Sequence, residues 1–232
     1  MRTTFWVLLG AAVIAGVLGG CRAPAPGGAN AAFGGAARVE HALVGKIYFL
    51  PSDTQRLPDF HTLKPVGQIY ARQLNVPDQD FQVGFPGVTN RFEWFGIDYS
   101  GFFTVTTPAR YAFRLSSDDG TKLFIDGQKV IDNDGVHPTT SASGAVDLKA
   151  GRHDIEVQYF QGPRYRVSLQ FYCTAPGGAE TLFPGCGLNL VEPFNWTLWV
   201  VLALVALAVI VIAVVVARRP KPASQATAPE GG

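Results

Sequence analysis

The clearest pattern in the chain is an alternation of apolar and polar residues between positions 109 and 131. From Tyr111 to Leu115, apolar side chains occupy every second position, which is the period of a strand with one buried face. Asp118-Asp119-Gly120 then interrupts the alternation with turn-forming residues, and Asp126-Gly127 is a typical two-residue hairpin turn. The stretch therefore predicts two β-hairpins in series.

Short runs of the same kind recur through the middle of the chain, separated by turns that contain Gly, Pro and Asp. They predict an all-β fold, an antiparallel β-sandwich of the jelly-roll type, and no internal repeat points to a solenoid. The predicted strands cover residues 44–50, 68–76, 91–95, 101–106, 109–116, 121–131, 144–149, 153–160 and 165–173.

A different pattern lies near the C-terminus, where residues 195–217 form an apolar run. Thr197 is the only polar residue in positions 196–217, and the run is long enough to span a bilayer as a helix. Because it is apolar on every face, it does not fit a buried helix of a soluble core. Two arginines and a lysine follow within residues 218–221, so the positive-inside rule predicts a cytoplasmic tail at 218–232 and a domain on the periplasmic or outer side.

The N-terminus carries a short apolar stretch from Phe5 to Leu18 behind a single arginine. This stretch is too short for a comfortable membrane span and has the length of a signal-peptide core. It ends in Leu18-Gly19-Gly20-Cys21, which resembles a bacterial lipobox, so residues 1–20 are predicted to be a signal peptide and Cys21 to be lipidated. An uncleaved N-terminal anchor is the alternative, and both place the domain on the same side of the membrane.

These assignments leave one extracytoplasmic domain at residues 40–175. Residues 21–39 are rich in Ala, Gly and Pro and predict a flexible tether, while residues 176–194 predict a stalk that leads to the membrane helix. Cys173 and Cys186 remain, and an oxidising compartment favours a disulfide between them, with two free thiols as the alternative. A zinc site is not favoured, because there is no Cys-x-x-Cys spacing and the histidines are dispersed.

Charge and motifs exclude several classes of function. The chain has 19 Lys and Arg against 18 Asp and Glu, a net charge of +1, and no basic stripe of the kind that binds nucleic acid. It contains no serine nucleophile elbow, no phosphate-binding glycine loop and no His-Glu-x-x-His motif. No two carboxylates are paired in sequence as a glycosidase would need. The chain is therefore predicted not to be an enzyme.

The acidic pair Asp118-Asp119 is the strongest candidate for chemistry. A single Asp before Gly120 suffices for a turn, and two adjacent carboxylates repel each other unless a cation or hydrogen-bond donors offset their charge. Ca²⁺ takes several hard oxygen ligands, so the pair is a candidate calcium site. The alternative is that both carboxylates accept backbone N–H groups and cap the hairpin.

Several segments, in order along the chain, resemble the protective-antigen-type domain. This domain is a β-sandwich found in a toxin component, in fungal flocculins and adhesins, and inserted in glycosidases. The resemblance covers somewhat over half of the chain. It is carried by residues 44–49, Ser117-Asp118-Asp119-Gly120, Ile125-Asp126-Gly127, residues 150–160 and residues 167–171.

The resemblance implies a calcium-dependent sugar site. In glycan-binding members of the family, a cis peptide bond joins the two Asp residues, both carboxylates coordinate Ca²⁺, and sugar hydroxyls complete the metal shell. A nearby loop adds an amide side chain and backbone carbonyls. Carried over to this chain, the metal ligands are Asp118, Asp119, the Gln161 amide and the carbonyls near Pro163 and Tyr165, and the side chains nearest to a bound sugar are Arg164 and Tyr165.

The leading hypothesis is therefore a membrane-anchored module for calcium-dependent carbohydrate recognition, in adhesion or cell-wall binding. The alternative is a metal-free structural or assembly ectodomain that contacts another protein of the cell envelope. The chain departs from the family at one place. Members usually carry an aromatic residue before the glycine of the Ile-Asp-Asn-x-Gly segment, where this chain has Asp134, so the packing near His137 is expected to differ.

Overall fold

The computed structural model describes residues 32–164, 166–193 and 196–217. Four predicted features lie outside the described residues: the signal peptide, the lipidation site Cys21, the sugar contact Tyr165 and the cytoplasmic tail at 218–232. The described residues form two antiparallel β-sheets and one C-terminal helix, which confirms the predicted all-β sandwich and the predicted helix.

The first sheet has seven strands, and its central strand β4 is hydrogen-bonded to β1 and β12 on one side and to β9 on the other. The remaining order is β2-β1-β4-β9-β6-β7. In chain order its strands are β1 (Leu43–Phe49), β2 (Gly67–Ala71), β4 (Phe95–Val105), β6 (Thr121–Ile125), β7 (Gln128–Asn133), β9 (Gly151–Gln161) and β12 (Asn189–Val191).

The second sheet has five strands in the order β11-β10-β5-β8, with β3 also paired to β10. A short 3₁₀ helix, Phe60–Thr62, lies between β1 and β2. The strands of this sheet are β3 (Asn75–Asp80), β5 (Ala109–Asp118), β8 (Thr140–Leu148), β10 (Arg166–Thr174) and β11 (Thr181–Leu182).

The core lies between the two sheets, where every second side chain of each long strand is buried. In β4, for example, Ile97, Tyr99 and Phe103 are fully buried, while Ser100 is exposed on the opposite face. The predicted turn Asp126-Gly127 is also confirmed. It joins β6 to β7 with φ of 50° and 74° at its two residues, the backbone that a two-residue hairpin of this type needs.

Two predicted strands were placed wrongly. Residues 68–76 are two strands rather than one, because β2 and β3 belong to different sheets. Residues 91–94 form a loop, and the strand predicted at 101–106 is the second half of β4. The first half of β4 contains Gly96, which weakens a strand pattern, yet a Cβ there would lie only 2.6 Å from the Phe60 ring. The glycine is thus required for close packing.

The domain extends beyond both predicted boundaries. Phe33, in the predicted tether, is buried in the core, and its carbonyl accepts a hydrogen bond from the Tyr99 hydroxyl at 2.6 Å. At the other end, the predicted stalk contributes β11 and β12 to the two sheets, and Leu188 and Leu190 are buried. Compositional signals marked these segments as connectors, but their few apolar residues contribute to the core. The predicted disulfide between Cys173 and Cys186 is present, with 5.7 Å between the two Cα atoms.

The C-terminal helix, Trp196–Ala217, is 22 residues long. Its segment Thr197–Val215 is long and apolar enough to cross a membrane, and none of it is buried against the domain. By length and composition the helix can therefore be a transmembrane segment.

The outer face of the first sheet carries a half-buried carboxyl group with an unusual titration. Burial, followed by the nearby Glu156 carboxylate, raises the pKa of Asp98 to about 6. One of the Asp98 carboxylate oxygens is buried without a hydrogen-bond partner in the described part of the chain. The charged form of Asp98 is thus disfavoured in the folded protein.

We expect Asp98 to make folding less favourable as pH rises. The folded state keeps a proton that the unfolded chain loses near pH 4, so stability falls between about pH 4 and pH 6 and is constant above. Asp98→Asn, which cannot ionise, should flatten this fall and stabilise the protein at pH 7 by on the order of 1–2 kcal/mol. Urea unfolding of both proteins between pH 3.5 and 7.5 measures the difference. Parallel pH profiles for the two proteins would contradict the prediction.

Candidate functional site

Three loops meet at one end of the sandwich and enclose a shallow depression of about 350 Å³. They are the turn between β5 and β6, the loop between β7 and β8, and the loop that leaves β9. The turn brings the acidic pair, and the other two loops approach it from either side. The described residues that line the depression are Asp118, Asp119, Val136, His137, Pro138, Pro163, Arg164 and Arg166.

Asp119 is the fixed member of the acidic pair. The peptide bond between Asp118 and Asp119 is cis, as the family resemblance implies. The Asp119 carboxylate is buried, and its two oxygens accept backbone N–H bonds from His137 at 3.0 Å and from Gly162 at 2.7 Å. Burial raises the pKa of Asp119, while these two backbone donors act in the opposite direction. The carboxylate therefore ties both neighbouring loops to the turn.

Asp118 is the available member of the pair. Its side chain is half-buried, and its carboxylate forms no hydrogen bond or ion pair within the described ranges. Burial, then the carboxylates of Asp119 and Asp78, raise the pKa of Asp118 to about 6. A cation placed between Asp118 and Asp119 would relieve the repulsion that contributes to this shift.

Gln161 lies beneath the depression. Its side chain is buried, its Nε2 donates to the carbonyls of Pro163 at 2.9 Å and Arg166 at 3.0 Å, and its Oε1 lies 2.6 Å from the Tyr159 hydroxyl. The two carbonyls fix the orientation of the amide, because a flipped amide would place its oxygen against both. In this structure Gln161 holds the β9–β10 loop in shape from below.

The loop at residues 91–94, which belongs to the strand predicted at 91–95, is hydrogen-bonded to the loop that leaves β9. Trp94 has φ of 52° and donates its backbone N–H to the Gly162 carbonyl at 3.0 Å. A Cβ on Gly162 would lie 3.0 Å from an Asp119 carboxylate oxygen and 3.6 Å from the Trp94 ring. Gly162 therefore lets the loop approach the carboxylate closely. Arg164 is exposed at the rim, with its Nε 3.7 Å from a Glu93 carboxylate oxygen.

The departure from the family at Asp134 is accommodated by polar contacts. Asp134 is almost fully buried, accepts the Leu57 backbone N–H at 2.7 Å and pairs with the Lys122 ammonium at 2.8 Å. These bonds are made at the position where the family resemblance implies an aromatic side chain. They hold the start of the loop that brings His137 to Asp119.

Two residues that build the site could not be identified from the sequence pattern. His137 contributes through its backbone N–H, and Tyr159 donates its hydroxyl toward the Asp118 carbonyl at 2.6 Å. Tyr159 follows the alternation of β9 and looks like an ordinary core residue. Only the pairing of β9 with β6, which sets Tyr159 opposite Thr121, shows that it lies beneath the turn.

The donor set around the depression fits a hard cation. It offers the carboxylates of Asp118 and Asp119, whose oxygen atoms are of the kind that Ca²⁺ prefers. Within the described parts of the chain, no group of three or more His, Cys, Asp or Glu side chains can hold a metal ion.

The depression and the start of the apolar C-terminal helix lie at opposite ends of β4. Phe95, at the first end, pairs with Gln161, while Phe102 pairs with Val191, which precedes the helix by a few residues. The seven residue steps from Phe95 to Phe102 span roughly 23 Å along an extended strand. The acidic pair is therefore separated from the helix junction by most of the length of the sheet.

Comparison with known proteins defines the class. The PA14 domain model matches residues 40–184, and the chain belongs to this family. Similar structures include a PA14 sugar-binding domain from an RTX adhesin (TM-score 0.55, 17% identity, 67% of this chain and 100% of that chain). The PA14 domain of the antifreeze protein MpAFP is also similar (TM-score 0.53, 20% identity, 68% of this chain and 96% of that chain).

A third similar structure is an anti-sigma factor domain-containing protein (TM-score 0.50, 21% identity, 66% of this chain and 48% of that chain). No curated protein matches the chain. At these identities the structural likeness establishes the fold, and function has to be argued from the site.

Proposed function

We propose that the protein is a membrane-anchored binding module that recognises carbohydrate through Ca²⁺ held by the acidic pair. One observation carries the proposal. Asp118, whose carboxylate has no partner among the described residues, lies in an open depression beside a second carboxylate, Asp119, whose position is fixed by two loops. The similar RTX-adhesin domain is described as sugar-binding, which supports the assignment.

The residues divide into two roles. Asp118, Asp119 and a carbonyl of the Pro163–Tyr165 segment would hold the metal, and Ca²⁺, when bound, offers coordination positions that sugar hydroxyls can fill. Gln161, first expected as a ligand, is proposed to set the position of those carbonyls. Arg164 at the rim and Tyr165 are proposed to contact the sugar. Such a small, exposed site is expected to be weak, on the order of millimolar, and to act through many copies on one surface.

The location of the depression fits a role in adhesion or cell-wall binding. The apolar helix is proposed to cross the membrane with the basic residues 218–221 on the cytoplasmic side. The sandwich then projects outward, with its helix-bearing end toward the membrane and the acidic pair toward the outside. The signal peptide at 1–20 and lipidation of Cys21 remain part of this proposal.

A second candidate function is a metal-free assembly ectodomain that binds another envelope protein. The observation in its favour is that both Asp119 oxygens already accept backbone N–H bonds, as a structural cap would. The two candidates differ in one measurable property, which is the response of the protein to Ca²⁺.

The test compares the full-length protein in detergent with its Asp118→Asn variant, in excess Ca²⁺ and in chelator. At a hundred times the dissociation constant, Ca²⁺ should stabilise the wild type by about 2.7 kcal/mol, and the variant should lose this gain. Asp147→Asn is the matched control, because Asp147 is an exposed aspartate on β8 that pairs with Arg110 on β5. A wild-type melting curve unaffected by Ca²⁺ would favour the assembly function.

Sugar recognition is tested on a glycan array with a multivalent form of the protein in millimolar Ca²⁺. Binding should disappear in chelator and in Asp118→Asn, and persist in Asp147→Asn. Calcium stabilisation without any glycan signal would retain the metal site and reject the sugar.

A further inference from the structure

The outer face of the first sheet carries a groove of about 490 Å³ that is separate from the acidic pair. Its floor follows from strand register. Phe102 in β4 pairs with Asp154 in β9, and Glu156 in β9 pairs with Phe124 in β6. These side chains alternate with buried core residues, so they all project from the outer face. The groove thus combines two phenyl rings with two carboxylates.

The groove adjoins the membrane end of the domain. Val191 and Pro193 form one side of it, and Val191 pairs directly with Phe102. Three residue steps lead from Pro193 to Trp196, where the apolar helix begins, which is at most about 11 Å of extended chain. If the helix crosses the bilayer, this end of the groove lies at the level of the lipid headgroups, because the polar regions add several ångströms to each side of the hydrocarbon core.

Two of the three carboxylates that line the groove have no ion-pair partner among the described residues. Neither Asp154 nor Glu156 forms an ion pair within the described ranges, although Gln158 donates a hydrogen bond to Glu156. A third carboxylate, Asp126, is already engaged by His153 at 2.6 Å and by the Asp154 backbone N–H at 2.9 Å. Two negative charges over an apolar floor therefore favour a ligand with a positive charge.

A positively charged side chain, Arg152, contacts the Phe102 ring at the edge of the groove. The Arg152 guanidinium stands 3.5 Å from the centre of the Phe102 ring and forms no ion pair within the described ranges. The Phe102 ring thus has a carboxylate, Asp154, and a guanidinium, Arg152, as neighbours. This arrangement is complementary to a zwitterion rather than to a simple cation or anion.

From these observations we infer that the groove binds the zwitterionic headgroup of a phospholipid in the surrounding membrane. Its ammonium group faces Asp154 and Glu156, its phosphate faces Arg152, and Phe102 and Phe124 contact its apolar part. This inference rests on the membrane anchoring proposed above. It assigns the face a role in orienting the domain on the bilayer, with the acidic pair held away from the surface.

The binding experiment titrates full-length protein in detergent micelles with dihexanoyl phosphatidylethanolamine and follows ³¹P NMR shifts and line widths. Glu156→Gln and Arg152→Gln should each weaken binding about tenfold, and Asp147→Asn should not. Dihexanoyl phosphatidylglycerol, which lacks the ammonium group, should bind at least tenfold more weakly than the ethanolamine lipid.

Three results would overturn the inference. They are equal binding of both lipids, unchanged binding in both groove variants, and binding of a pentalysine peptide without binding of the ethanolamine lipid. The last result would assign the groove to a basic protein partner. The NMR titration reports on the groove even if a variant is less stable, provided its far-UV circular dichroism is that of the wild type.

Liposome flotation of the same variants tests the anchoring separately. All variants should float if the helix inserts, whatever their headgroup affinity. Failure of the wild type to float would reject the anchoring, while the titration in micelles would still decide whether the groove binds a zwitterion.

Discussion

Phe33→Ala is expected to destabilise the domain by about 3–5 kcal/mol, the cost of removing a large buried aromatic side chain. Phe33 is 2% exposed, and its ring centre lies 5.2 Å from those of Phe81 and Tyr159 and 5.8 Å from that of Phe95. These rings close one side of the sandwich, and the cavity left by alanine cannot be filled by its small neighbours in the sequence. Equilibrium unfolding in urea measures the loss.

The matched control is Phe49→Ala. Phe49 is 45% exposed and meets the Arg91 guanidinium at 5.0 Å, so its loss should cost no more than about 1 kcal/mol. Equally small effects of the two substitutions would mean that the Phe33 segment of the predicted tether, residues 21–39, is dispensable for folding, as its composition alone predicts. A large effect of Phe33→Ala alone would place the start of the folded domain before residue 40.

The difference between Phe33 and β5 shows what sequence patterns can reveal. β5 was predicted because alternating apolar side chains produce a local signal that depends only on which face is buried. Phe33 is a single apolar residue among Ala and Gly, with no period to detect. Its position depends on contacts with residues 48 to 126 positions away, which local pattern does not encode.

In the candidate site, too, the residues with a local sequence signal could be predicted and those placed by distant parts of the chain could not. Asp118 and Asp119 could be identified because two adjacent carboxylates in a turn are chemically unusual by themselves. The donors that hold Asp119 come from two other loops, and their backbone N–H groups leave no trace in the side-chain sequence. Gln161 was predicted as a ligand from the resemblance, whereas its hydrogen bonds to the Pro163 and Arg166 carbonyls depend on positions that only the folded chain defines.

Replacing both Cys173 and Cys186 by serine is expected to destabilise the domain by about 3 kcal/mol, the loop-closure value for a separation of 13 residues. For a domain of this size the melting temperature should fall by roughly 6–12 °C. The bridge ties β10 to the segment that carries β12, so the loss should be largest near the helix junction. Hydrogen exchange of residues 181–191 should accelerate more than that of β4 or β9.

Two controls separate the crosslink from the polarity of the new side chains. A Cys173→Ala and Cys186→Ala double variant removes the bridge without introducing hydroxyl groups, which matters because Cys173 is completely buried. Wild-type protein reduced under native conditions should exchange like this variant. If the alanine variant and the reduced protein keep the wild-type melting temperature, then the burial of Leu188 and Leu190 alone holds the C-terminal strands in place. In that case the attachment between sandwich and helix would depend on packing rather than on the disulfide.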